Sequence, residues 1–231
     1  MIIEKILTFL ERNIHQKRIS NFLQDKSIKT IIDIGAHKGE FAENALQIKS
    51  VDKIIAFEPQ KKIFNLLKEK FVNNNKIILN NFALSEKVEK RIMKINKMTA
   101  TSTLNHEIND KSLYFKFKSF LLYQKNSIIS EEEINTTTFD IFFSEKMFDE
   151  NTLLKIDTEG YELHVLKGSE QKIKEMKYIL IENQFSKMYK NVDFKKCHNF
   201  LREKKFKLLK RFIFPTLHYE DRLYVNEIDK I

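Results

Sequence analysis

The sequence predicts a doubly wound α/β domain with a mostly parallel sheet and an antiparallel edge at its C-terminal side. Three observations carry this. From residue 29 to 80, short β-branched runs alternate with amphipathic stretches, the rhythm of parallel strands joined by helical crossovers. Two further apolar runs, 152–157 and 177–183, flank another helical pattern. Finally, 206–214 and 221–227 are strand-like runs separated by a short gap, which suits antiparallel pairing because a parallel pair needs a longer crossover.

The elements follow in order. "MIIEKILTFLERNIHQKRI" keeps its apolar residues at helical spacing and forms an N-terminal helical extension, 1–28. "KTIIDIG" (29–35) is a buried strand, "EFAENALQI" (40–48) a helix, and "KIIAFEP" (53–59) a strand stopped by Pro59. "KKIFNLLKEKFV" (61–72) sets Ile63, Phe64, Leu67 and Phe71 on one helical face, and "KIILN" (76–80) is the third strand. Beyond this cofactor-type half, 29–95, "KVEKRIMKI" (87–95) alternates like a surface strand. "TATSTLN" (99–105) reads as a polar loop, and the aromatic-rich stretch that follows, with Tyr114, Phe115, Phe117, Phe120 and Tyr123, makes 99–130 a lid or an insertion. Order returns in 136–231: strand "TLLKID", helix "EGYELHVLKG" stopped by Gly168, strand "KYILIEN", a helix over about 193–204, and the two tail strands.

Length and composition set limits. At 231 residues with 42% apolar content, one domain with a sizeable core is expected, two small ones being the alternative. A single cysteine, Cys197, rules out an internal disulfide framework and fits a reducing, cytoplasmic setting. The charge-broken N-terminus is no signal peptide, and no apolar run reaches membrane-spanning length. The net charge of +9 invites a nucleic-acid partner. Its densest stretch, "LREKKFKLLKRF" (201–212), reads first as a solvated face of a helix or strand and second as an anion-binding patch.

The chain has four glycines, in two stretches that each follow an apolar run ending in aspartate: "DIGAHKGEF" (33–41) and "KIDTEGYELHVLKG" (155–168). In open parallel sheets, ligands bind beyond the carboxyl ends of the strands, where Asp33-Ile-Gly35-Ala36-His37-Lys-Gly39 falls. His37 stands where a dinucleotide fingerprint needs its second glycine, which argues against NAD or FAD. Twenty-five residues after Asp33, Glu58 ends the second strand and can accept both hydroxyls of an adenosine ribose. An adenosine without pyrophosphate beside an aspartate points to S-adenosylmethionine, with Asp33 holding its methionine end directly or through the loop.

With "DIGAHKGEF", "AFEP", "NFALSE" (81–86), "TTTFDIFF" (136–143), "LLKIDTEGYELHVLKG" and "ILIEN" in order, the chain resembles the FkbM-type methyltransferases over about residues 29–185. The resemblance implies a class I methyltransferase fold with a seven-stranded sheet, S-adenosylmethionine as cofactor, and O-methylation of sugars, glycans or secondary metabolites. It places Asp33, Gly35, Ala36 and Gly39 in the cofactor loop, Glu58 on the ribose, and Asn81, Phe82 and Ala83 at the adenine. Phe82 either packs on that ring or belongs to the core.

Methyl transfer to a hydroxyl is an in-line displacement that needs alignment and a place for the hydroxyl proton. Asp157 is the first candidate for base or substrate anchor and Glu159 the second, while Glu162 reads equally as a helix-dipole carboxylate. His164 is expected on a helix face. Glu182-Asn183 beside Asp157 is similar to the Asp…Asp-Asn magnesium site of catechol-type O-methyltransferases, so Mg2+ stays an open option with no ligands assigned. A nucleic-acid methyltransferase is the first rival, but no Pro-Pro loop is present and Cys197 falls in the tail helix. A non-catalytic cofactor-binding protein is the second. The acceptor is expected to be a hydroxylated small molecule or glycan, and a homodimer is the base-rate assembly.

Overall fold

Strand propensity becomes pairing register in the computed structural model, which describes residues 9–96, 104, 128–149, 151–184, 194–216 and 219–227. Seven strands form one sheet: β1 (Thr30–Ile34), β2 (Lys53–Phe57), β3 (Ile77–Asn80), β7 (Thr152–Ile156), β8 (Tyr178–Gln184), β9 (Phe206–Ile213) and β10 (Tyr219–Asn226). Their order is β3-β2-β1-β7-β8-β10-β9. The first five are mutually parallel, and β10 enters antiparallel between β8 and β9. The expected antiparallel C-terminal edge is therefore present.

The helices are α1 (Gln16–Leu23), α2 (Glu40–Ala45), α3 (Lys61–Lys70), α4 (Phe139–Phe142), α5 (Glu162–Lys167) and α6 (Phe194–Glu203). Alternation along the central strands sends residues to two apolar layers. Ile31, Leu153 and Leu180 meet Ile19 and Leu23 of α1 and Phe41 of α2 on one face. Ile32, Leu154 and Ile179 meet Phe139, Val165 and Leu201 on the other. Strands buried on both faces lack polar alternation, which is why 29–35, 152–157 and 177–183 read as apolar runs. On α3, Ile63 and Leu67 are buried and Phe64 is only partly so, narrower than the predicted face.

The middle of the chain differs from expectation. The predicted surface strand 87–95 is β5 (Glu89–Asn96), and it pairs antiparallel with β6 (Ile128–Thr137). With β4 (Ala83–Leu84), which runs parallel to β6, they form a separate three-stranded sheet. Met93 and Ile95 are buried in the core, so the alternation marked a half-buried strand. The start of β6 takes up residues 128–130 of the predicted lid or insertion. The rest of that stretch, with its five aromatics, lies outside the described residues apart from Leu104, which is buried.

The N-terminal extension enters through a π-helical turn, Glu11–His15. His15 is fully buried, with Nε2 2.6 Å from Asp221 Oδ2 on β10. Glu11 accepts a hydrogen bond from Tyr219 nearby. A buried contact closed across 206 residues of chain fixes this extension to the sheet.

Candidate active site

The carboxyl ends of β1, β2, β7 and β8 lie side by side in the sheet, and they carry the acidic residues singled out from the sequence. Register sets Asp33 of β1 opposite Lys155 of β7. The Lys155 ammonium donates to Asp33 Oδ1 at 3.0 Å, approaches Asp157 Oδ2 at 3.3 Å, and stands 5.3 Å from the centre of the Phe41 ring. Burial works to lower its pKa, but the two aspartates outweigh this and hold it well above the ordinary lysine value. Asp33 has no exposed surface, and its Oδ2 meets no hydrogen-bond partner among the described residues. Lys155 was missed by the sequence reading. Its signal was one lysine inside the apolar run "TLLKI", where burial demands a counter-charge.

Gly35 shows why the two motifs share their glycine chemistry. Its φ is +83°, and a β carbon there would fall 1.8 Å from the Asp157 carbonyl oxygen. The loop after β1 thus touches the loop after β7, so the expected cofactor and acceptor elements are in backbone contact. Gly39 serves packing as well: a β carbon would lie 2.5 Å from the Phe71 ring on the turn after α3. Ala36 is buried, its amide donating to the Phe57 carbonyl at 3.0 Å.

Glu58, just past β2, is buried with 3% exposure. Its Oε2 accepts the His37 amide at 2.9 Å and its Oε1 the Gln60 amide at 2.8 Å. Two backbone donors fix the carboxylate plane and leave a lone pair on each oxygen. Burial pushes the Glu58 pKa up to about 7, although the two amides and His37 pull the other way. His37 contributes this amide from a left-handed backbone (φ +47°), while its ring stands 3.4 Å from Glu40. Asn81 donates to the carbonyls of Glu58 and Pro59 at 2.9 and 3.1 Å. Phe82 is partly buried and meets Phe57 and Phe142 edge-on at 5.4 and 5.3 Å. Ala83 is buried beside it.

Beyond β7 the expected helix does not start at Glu159. Residues 159 and 160 take left-handed backbone (φ +53° and +88°), and α5 begins at Glu162. Glu162 is buried and Oε1 accepts the amides of Thr158 and Gly160 at 3.1 and 3.0 Å, plus the Thr158 hydroxyl at 3.2 Å. It braces the turn that carries Asp157 and Glu159. Asp157 is partly exposed, and its carboxylate lies within 4.8 Å of those of Glu159 and Glu182. Gln184, also missed from sequence, donates Nε2 to Glu159 at 2.8 Å and Glu182 at 2.7 Å. Burial, then the charges of Asp157, Glu159, Asp221 and Glu162, hold the Glu182 carboxyl well above the usual range.

Two sequence readings change here. Glu182 and Asn183 do not act as a pair, because successive residues on a strand face opposite sides. Asn183 turns away and donates to Glu220 at 2.9 Å. The acidic set is three carboxylates, two of whose members already meet Gln184 and a third Lys155, and Mg2+ gains no support from it. Gly168 is more than a helix stop. A β carbon there would lie 1.9 Å from the Ser85 carbonyl oxygen, so glycine lets α5 end against the strand β4 loop. His164 sits on a helix face as expected, stacked on Tyr161 at 4.3 Å and 3.1 Å from Glu86.

The strand order is that of the class I methyltransferase fold. The chain belongs to the FkbM methyltransferase family, whose domain model matches residues 33–208. Methyltransferase FkbM from Methylobacillus flagellatus KT is similar in structure at a TM-score of 0.55 and 16% identity, with 86% of this chain and 44% of that one covered. This chain therefore spans less than half of that protein. TrmK of M. capricolum, solved with S-adenosyl-homocysteine, gives 0.51 at 10% identity over 94% and 71%. A SAM-dependent methyltransferase from Aquifex aeolicus gives 0.50 at 11% identity over 96% and 95%. At such identities the likeness is one of fold. No curated protein matches the chain.

Proposed function

We propose that the chain, acting as one domain, moves a methyl group from S-adenosylmethionine to a hydroxyl of a sugar, glycan or secondary metabolite. The observation that carries this reading is the contact between Gly35 and Asp157, which joins the cofactor-type loop to the acidic strand end. Bound S-adenosylmethionine supplies an electrophilic methyl on a sulfonium. Glu58 offers one lone pair per oxygen to the two ribose hydroxyls, its plane already set by the His37 and Gln60 amides. The loop 33–39 lines the methionine end, and Asn81, Phe82 and Ala83 border the base. Asp157 accepts a hydrogen bond from the attacking hydroxyl and aligns it, with Lys155 fixing the orientation of its carboxylate. The hydroxyl oxygen displaces S-adenosylhomocysteine from the methyl group, so that the C–O bond forms as the C–S bond breaks and the hydroxyl proton leaves. Asp157 takes it, and its partly exposed carboxylate passes it on to solvent.

Among the described residues no helix is long and apolar enough to cross a membrane. Cys197 is buried on α6, which fits no cysteine-based transfer to a base. The test is calorimetric titration of S-adenosylhomocysteine into wild type and Glu58→Ala, with NAD as control. It is followed by labelled-methyl transfer to a panel of hydroxylated acceptors by wild type and Asp157→Asn. Binding that weakens in Glu58→Ala, and transfer that Asp157→Asn loses while still binding, support the reading. Failure to bind S-adenosylhomocysteine overturns it.

A further inference from the structure

Arg211 and Arg222 stand directly opposite each other on β9 and β10. Like charges in cross-strand register destabilise a sheet, so this pairing calls for a reason. Both side chains converge on Glu220, which is fully buried: Arg211 Nε donates to Oε2 and Arg222 Nε to Oε1, each at 2.7 Å. Asn183 of β8 donates to the same Oε1. One carboxylate thus holds two guanidinium groups, and the cluster keeps a surplus positive charge. Both arginines are gripped side-on through Nε, which leaves the two-pronged Nη end of Arg211 without a partner among the described residues. The Arg222 guanidinium also lies 5.2 Å from the centre of the Phe194 ring. Arg211 is about half exposed, at 49%, and Arg222 is 22% exposed. The positive potential extends to His198, whose pKa burial, Arg222 and Arg202 all lower.

The position matters as much as the charge. Near the end of β8, Glu182 stands with the carboxylates of Asp157 and Glu159, while Asn183 donates to the Glu220 that holds the two arginines. A molecule lying over this tip can present a hydroxyl to Asp157 on one side and an anionic group to the arginines on the other.

The geometry points to Arg211 and Arg222 as an anion clamp for the acceptor, and to an acceptor that carries a phosphate group as well as the methylated hydroxyl. This rests on the methyltransferase reading for the word acceptor, while the clamp itself does not. Phosphate fits better than carboxylate, because its three terminal oxygens can serve two separate guanidinium groups at once.

The test titrates inorganic phosphate by calorimetry into free protein and into protein saturated with S-adenosylhomocysteine, with acetate as the comparison anion. Phosphate should bind wild type, and Arg211→Gln should weaken it by about tenfold, a loss of roughly 1.4 kcal/mol. Arg211→Lys keeps Glu220 neutralised and should weaken it several-fold. Lys207→Gln removes the same charge from the other end of β9 and should leave affinity unchanged. Equal weakening by Arg211→Gln and Lys207→Gln, acetate binding as tightly as phosphate, or no phosphate binding would each overturn the clamp. Since free protein is titrated too, absent S-adenosylhomocysteine binding would count against the methyltransferase reading without obscuring this result.

Discussion

Lys155 and Asp33 form an ion pair across β1 and β7, with the lysine 3% and the aspartate 0% exposed. Breaking such a pair from one side strands a buried charge. Lys155→Met should cost about 3–5 kcal/mol in urea denaturation, and Asp33→Asn added to it should restore a large part. If the double variant is no more stable than Lys155→Met, the pair does not carry the coupling assigned to it.

Glu58 predicts a pH dependence of known sign. Its pKa is raised from 4.5 to about 7, so the fold favours its protonated form. That contribution is complete below the unfolded value and is lost as pH rises through about 7, a change of roughly 3 kcal/mol. Ribose hydroxyls, in contrast, prefer the ionised acceptor. S-adenosylhomocysteine affinity should rise about tenfold from about pH 6 to about pH 8. The rise should vanish in Glu58→Gln, and a wild-type affinity flat across that interval would contradict the ribose role.

Gly168→Ala drives a methyl group toward the Ser85 carbonyl, 1.9 Å from the ideal β-carbon position. Overpacking of this kind costs about 1–3 kcal/mol, read as a lower thermal midpoint. Lys167→Ala, one residue earlier and exposed, should leave the midpoint nearly unchanged. Equal effects would remove the close-approach explanation.

Glu162→Ala removes the single oxygen that holds two backbone amides and a hydroxyl of the 158–160 turn. Stability should fall by about 1–3 kcal/mol. Methyl transfer, once an acceptor is found, should fall further than S-adenosylhomocysteine affinity, because the brace sits under Asp157 and Glu159. A matching loss in cofactor affinity would place Glu162 on the cofactor side instead.

The sequence made the strand ends legible because glycine is scarce in it. With four glycines in 231 residues, each marks a tight backbone contact or turn. The strands themselves were also readable, since each buried run is bounded by polar or helical segments. What stayed hidden was register. Lys155 becomes a partner of Asp33 only when β7 lies beside β1, 122 residues away in sequence. Gln184, Glu220 and the β5–β6 pairing likewise depend on distant strands. The Glu182-Asn183 pair misled for a simpler reason: adjacent strand residues cannot share a face.

One feature of the sheet bears on how the molecule is made. β10 lies between β8 and β9, yet it leaves the ribosome after both. Until then β9 has no neighbour in the sheet, Asp221 has not met His15, and Glu220 has not gathered its arginines. β9 can therefore join the sheet only together with β10, as a hairpin whose second strand docks on β8, so this edge depends on the last strand of the sheet to be made.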